Sequence, residues 1–150
     1  TTTNTLVPTI EPVITRVNTN EIDEIDEILM MHNEERELNN VGNLEWDELL
    51  RSNAQRISDN IANNDCTLQH NFLEGTRGQN LYAGYNFIEP VYRNAIQAWL
   101  DEKRLLDEPD VRFVQIGHYL IIIDSNFSKV GCAYGINFSS NCFVITCDYA

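Results

Sequence analysis

Four cysteines constrain this chain of 150 residues more than any other feature: Cys66, Cys132, Cys142 and Cys147. No two have the Cys-x-x-Cys spacing of a zinc ribbon or redox site. An even count in a small domain points to two disulfides formed in an oxidising compartment, the alternative being buried free thiols. The apolar stretch 142–149 reads as one strand, on which Cys142 and Cys147 face opposite sides about 16 Å apart. Those two cannot pair without a sharp reversal of the chain. Two of the three connectivities remain. Joining Cys132 to Cys147 staples neighbouring strands and leaves Cys66 and Cys142 to tie a helical layer to the sheet. Closing that longer loop contributes about 4 kcal/mol in the chain-entropy account.

Charge excludes several partners. Ten Lys and Arg stand against 23 Asp and Glu, a net charge of −13. Such a chain repels phosphate, so no nucleic acid is expected, and it is ill-suited to anionic lipid headgroups. No apolar run approaches the roughly 18 residues of a membrane helix, so no membrane insertion is expected. No signal peptide stands at Thr1, and a secretory reading takes it as removed. The length suits one domain, and 43% hydrophobic residues suffice for its core.

Residues 1–20, rich in Thr, Asn and Pro, read as an extended N-terminal arm in which Ile10, Val13, Ile14 and Val17 are the apolar residues able to pack on the domain. The folded domain is then 21–150. Within 21–37, Ile22, Ile25, Ile28 and His32 recur at helical spacing, and the acids there form a solvated outer face. Trp46, Leu50, Ala54, Ile57 and Ile61 place a second helix over 46–62. A third starts at Pro90 and carries Val91, Ala95, Trp99 and Glu102 on one stripe. A carboxylate on an inward stripe needs a partner. After Pro109 the pattern turns to β: a run at 119–123, a turn at 125–128, and strands at 130–136 and 142–149, with a short strand near 80–83. Helices first and strands last imply an α+β fold.

Several short motifs occur in order. They are His32-Asn33-Glu34-Glu35-Arg36, Leu44-Glu45-Trp46-Asp47, Cys66 ahead of His70, Gly78-Gln79-Asn80-Leu81, Trp99-Leu100-Asp101-Glu102, Gly117-His118-Tyr119, Val130-Gly131-Cys132-Ala133 and Cys147-Asp148-Tyr149. Together they resemble the motifs of the CAP superfamily, the cysteine-rich secretory, venom-allergen and pathogenesis-related-1 group, over about 22–149. The resemblance implies a three-layer α-β-α sandwich around a central antiparallel sheet. It also implies a cavity of two histidines and two glutamates that binds a divalent metal in several members. Carried over position by position, these are His70, Gln79, Glu102 and His118. Gln79 departs from the usual Gly-Glu-Asn-Leu, while Cys147-Asp148-Tyr149 resembles the closing Cys-Asn-Tyr.

Two imidazoles and one carboxylate make a three-ligand zinc set, whereas the Gln79 amide is a weak ligand. Zinc is therefore an admissible cofactor but not a required one. Catalysis needs a converging nucleophile, base and oxyanion donors. No Gly-x-Ser-x-Gly elbow occurs. Asn71 stands where the resemblance leads one to expect a serine, and Leu120, Ile121 and Asp124 reduce the polar lining further. A non-enzyme is expected, the alternative being a metal-dependent hydrolase built on His70, Glu102 and His118. The resemblance further implies a sterol or fatty acid held by the loop 103–113 through Leu105, Leu106 and Phe113, or an extracellular protein receptor. Sequons at Asn126 and Asn137 are candidate glycosylation sites in expected turns. The reading carried forward is a secreted, extracellular effector, defence or allergen-like protein with Cys66–Cys142 and Cys132–Cys147 disulfides.

Overall fold

A computed structural model describes residues 19–150, and the expected arm, with Ile10, Val13, Ile14 and Val17, lies outside the described residues except for Thr19 and Asn20. Those two already belong to the first helix. The elements run α1 (Thr19–Leu38), β1 (Glu45–Trp46), α2 (Glu48–Asn63), β2 (Gly78–Tyr85), α3 (Val91–Asp101), a 3-10 turn (Glu102–Leu105), α4 (Phe113–Ile122), β3 (Lys129–Asn137) and β4 (Cys142–Tyr149).

Local chemistry sets several of these boundaries. Asp47 caps α2 by accepting the Leu50 amide at 2.9 Å, which starts the helix two residues after Trp46. Trp46, expected inside that helix, instead pairs with Val130 in β1. Pro90 sits at the N-cap of α3, one position before the helix proper.

The sheet order is β1-β3-β4-β2. β4 pairs antiparallel with both β3 and β2, while β1 runs parallel to β3. The sheet is therefore mixed, where an antiparallel one was expected. The physical reason is that β1 connects to β3 through helices, and such a crossover brings a strand back in the same direction.

Alternation along β4 builds three layers. Phe143, Ile145, Cys147 and Tyr149 enter the large core shared with α1, α3 and α4. Val144 packs with Ile57, Ile61 and Ala62 of α2 on the other face, where the Ser58 hydroxyl donates to Thr146 Oγ1 at 2.8 Å. The fold is an α+β sandwich with α2 on one side and α1, α3 and α4 on the other. Cys132 and Cys147 are direct cross-strand partners, Cα atoms 4.1 Å apart, and are bridged. Cys66, just past α2, is bridged to Cys142.

Residues 119–123 were expected as strand; 119–122 form the second half of α4 instead, and Ile123 is its C-cap. The apolar run conceals a helical face: Ile116, Tyr119 and Ile122 are buried at intervals of three. The remaining apolar side chains of the run are half-buried against the same core, so its continuity reflects a crowded layer rather than a two-sided strand.

In α1, Asp23, Asp26, Glu34 and Glu37 are exposed as an acidic outer face requires. Glu35 is not part of it. It is buried, ion-paired with Lys103 at 3.1 Å and accepts the Tyr119 hydroxyl at 2.9 Å. The motif residues of α1 hold the fold. Asn33 bonds both the amide and the carbonyl of Leu44. Arg36, 1% exposed, donates to the carbonyls of Gly42, Ile122, Asp124 and Phe127. His32 reaches the Ile28 carbonyl through Nδ1 and the Tyr149 hydroxyl through Nε2.

Candidate binding cavity

β2 is an edge strand, and its alternation directs Gln79 and Asn80 to opposite faces. His70 lies on the segment joining α2 to β2, and His118 on α4. With Leu68, Gln69 and Leu81 they line a cavity of about 160 Å³.

Each imidazole is anchored at Nδ1. His118 Nδ1 lies 2.6 Å from Glu102 Oε1, and Glu102 Oε2 accepts the Tyr119 amide at 2.9 Å. The inward carboxylate flagged by the α3 stripe thus has its partner. The Trp99 ring stacks on His118 with centroids 5.9 Å apart. The Asn80 side-chain amide donates to the His118 carbonyl at 3.0 Å.

His70 is exposed, but its anchor is deep. Its Nδ1 lies 2.9 Å from Gln79 Oε1, which also accepts the Asn71 amide at 3.3 Å. Gln79 Nε2 donates to the Asn71 carbonyl and to Asp148 Oδ1, both at 2.9 Å. Asp148 Oδ2 accepts the Thr76 hydroxyl at 3.1 Å, and Thr76 is in turn reached by Asn53 Nδ2 at 3.2 Å. Gln79 is 1% exposed, and Asp148 and Asn80 are fully buried. Burial pushes the Asp148 carboxyl up to about 6, against the hydrogen bonds from Gln79 and Thr76 that favour its charge.

Sequence reasoning missed Thr76, Asn53 and the inward role of Asp148. The one signal was the departure of Asp148 from the closing motif. Asn80 Oδ1 is, among the described residues, the buried side-chain atom left without a partner.

The side chains at the four positions are held in two hydrogen-bonded pairs, His118 with Glu102 and His70 with Gln79. Both Glu102 oxygens are engaged by His118 and Tyr119, and the Gln79 oxygen by His70 and Asn71. Among the described residues no group of three or more His, Cys, Asp or Glu side chains is placed to hold a metal ion. All four cysteines are bridged, so no thiol is available as a nucleophile.

The expected ligand loop is split. Leu105, half-buried in the 3-10 turn, lines a cleft of about 300 Å³ with Glu108, Pro109, Asp110, Val111 and Gln115. Leu106 and Phe113 are 44% and 68% exposed and are not part of its lining. A larger cleft of about 500 Å³ opens beside β3, where Ile25 and Ile28 of α1, Trp46, Tyr92 and Tyr134 meet the charged Glu24 and Arg51. Of the sequons, Asn126 is exposed in a turn. Asn137 instead ends β3, half-buried, with its amide nitrogen donating to the Ala62 carbonyl at 2.8 Å.

A sequence model of the family described as "CAP: Cysteine-rich secretory protein family" matches residues 29–149. The basic form of pathogenesis-related protein 1 from Nicotiana tabacum is 32% identical over 120 residues, 79% of this chain and 64% of that protein. Secreted protein PRY1 from Candida albicans is 33% identical over 124 residues, 82% of this chain and 28% of that protein. The chain thus spans less than two thirds of either relative. The crystal structure of NaASP2 with Zn2+ superposes with a TM-score of 0.65 at 19% identity, over 85% of this chain and 80% of that one, a likeness of fold.

Proposed function

The chain belongs to the cysteine-rich secretory protein (CAP) family, and on that premise we propose that it is a secreted, non-enzymatic protein that carries a small apolar ligand of the fatty-acid class. The observation that carries this reading is the cleft of about 500 Å³ in which Ile25, Ile28, Trp46, Tyr92 and Tyr134 form an apolar part of a wall shared with Glu24, Arg51 and Gln55. Its volume lies within the range of small-molecule sites, and such a wall removes an alkyl chain from water at about 25 cal/mol per Å². Arg51 in the same wall suits a carboxylate headgroup. Its present partner is Glu48, one turn away on the exposed face of α2, and pairs of that kind are easily exchanged.

Secretion is supported by the paired cysteines and by a relative whose name is Secreted protein PRY1. The non-enzymatic reading rests on the engaged oxygens of Glu102 and Gln79 and on the absence of a free thiol among the described residues. It needs no cofactor.

The test is uptake of a radiolabelled C16 fatty acid and of cholesterol by the purified protein. Fatty acid binds saturably, and Ile25→Glu or Tyr134→Glu reduces binding at least tenfold while Phe113→Asp leaves it unchanged. Loss on Phe113→Asp, with the two cleft variants unaffected, moves the ligand to the loop and rejects the cleft. No uptake of either lipid rejects carriage altogether.

A further inference from the structure

We infer that Asp148 positions His70: acting through Gln79, it holds the imidazole with its proton on Nδ1 and so leaves the Nε2 lone pair for the cavity shared with His118. The donors and acceptors that each group carries fix the proton's place. An amide side chain can be turned end for end, and its neighbours decide which end faces where. Here they agree. Gln79 Nε2 faces two acceptors, Asp148 Oδ1 and the Asn71 carbonyl, each at 2.9 Å. The opposite end, Oε1, receives the Asn71 amide and lies 2.9 Å from His70 Nδ1. An amide oxygen only accepts, so His70 Nδ1 must donate. The neutral ring then carries its lone pair on Nε2.

Once ionised, the Asp148 carboxylate accepts and never donates. It is fully buried and register-paired with Gln79 across β2 and β4. The Thr76 hydroxyl occupies its second oxygen, so rotation of the carboxyl offers Gln79 nothing but an acceptor. Two of the positions at which this sequence departs from the motifs it resembles, 79 and 148, are therefore neighbours in one hydrogen-bond chain. An amide stands beside the imidazole and the carboxylate one step behind it. The negative charge that position 79 lacks is supplied from β4, away from the cavity wall.

One consequence is an asymmetric pair of imidazoles. His118 leans directly on a carboxylate, and His70 reaches one only through an amide. With both Nδ1 atoms engaged, the ring edges that remain are acceptors in the neutral rings, suited to a hydrogen-bond donor or a cation and not to an anion.

The experiment is long-range ¹H–¹⁵N correlation of ¹⁵N-histidine-labelled protein at a pH where the rings are neutral, assigned with His70→Gln and His118→Gln. His32, whose Nδ1 faces the Ile28 carbonyl, is the internal standard for the Nδ1–H form. Wild-type His70 shows the same pattern. Asp148→Asn makes Nε2–H, the form favoured by free histidine in water, the major species. The exchange Gln79→Glu with Asp148→Asn, which puts the carboxylate beside the ring, restores Nδ1–H. Thr76→Val lowers stability but leaves the His70 pattern alone, separating a positioning role from a merely structural one. Should Asp148→Asn not fold, Gln79→Leu and the double exchange carry the test: the first loses the Nδ1–H form and the second keeps it. Nε2–H in wild type, or an unchanged His70 in Asp148→Asn, overturns the inference.

Discussion

His32 and Asp148 are buried titratable side chains whose burial acts on stability with opposite sign. His32 is fully buried, and burial lowers its pKa to about 4. The native state keeps the ring neutral while the unfolded chain protonates below the ordinary value of 6.5. Stability is therefore present above that value and lost as pH falls through the window down to about 4. Asp148, raised to about 6, holds its proton longer when folded. Its contribution is present below the unfolded value and lost as pH rises toward 6. Over about pH 4 to 6 the two slopes offset each other. His32→Gln, which keeps a donor and an acceptor, removes one of them. Relative to that variant, wild type should lose on the order of 3 kcal/mol between pH 6.5 and 4, read from urea unfolding at several pH values. A difference that does not change with pH rules out the neutral, buried imidazole.

Elements meet where side chains permit it, and the closest approach is α2 on β3. A Cβ at Gly131 stands 2.1 Å from the Arg51 amide nitrogen, and one at Gly135 stands 2.7 Å from the Ser58 carbonyl carbon. Both obstacles are backbone, so relief requires the helix to lift off the sheet. Gly131→Ala should cost about 3 kcal/mol or more. Gly42→Ala, which meets nothing within 4 Å, should leave the thermal midpoint nearly unchanged. Equal effects from both reject the close-packing account. The same scale explains what was misread. At 119–123 the sequence offers β-branched and aromatic residues in a row, and a run of that kind does not distinguish a buried strand from a buried helix. Tertiary contacts decided for α4, including the Glu102 carboxylate on the Tyr119 amide. Periodicity alone places Trp46 in α2, and the Asp47 cap excludes it.

Across the whole molecule, the two disulfides act on different layers. Cys132–Cys147 closes 15 residues within the sheet, whereas Cys66–Cys142 closes 76 and joins the end of α2 to β4. Replacing the Cys66–Cys142 pair with alanines should cost about 4 kcal/mol and replacing Cys132–Cys147 about 3. Chemical denaturation of the two variants measures both, and a larger loss from the shorter loop would show that core packing, not loop closure, dominates.

The sequence by itself determined the α+β class, the three long helices, the two strands of the closing hairpin at 130–136 and 142–149, and the chain positions of His70, Gln79, Glu102 and His118. These are legible because periodicity, caps and short motifs are local, and the information sits within a few residues. Only the tertiary structure decided that 119–122 is helical, that β1 runs parallel to β3, and that Asp148 stands behind Gln79. Each of those depends on groups 17 to 84 residues apart meeting at a few ångströms. No spacing in the chain encodes such a meeting; packing the sheet between its helices creates it.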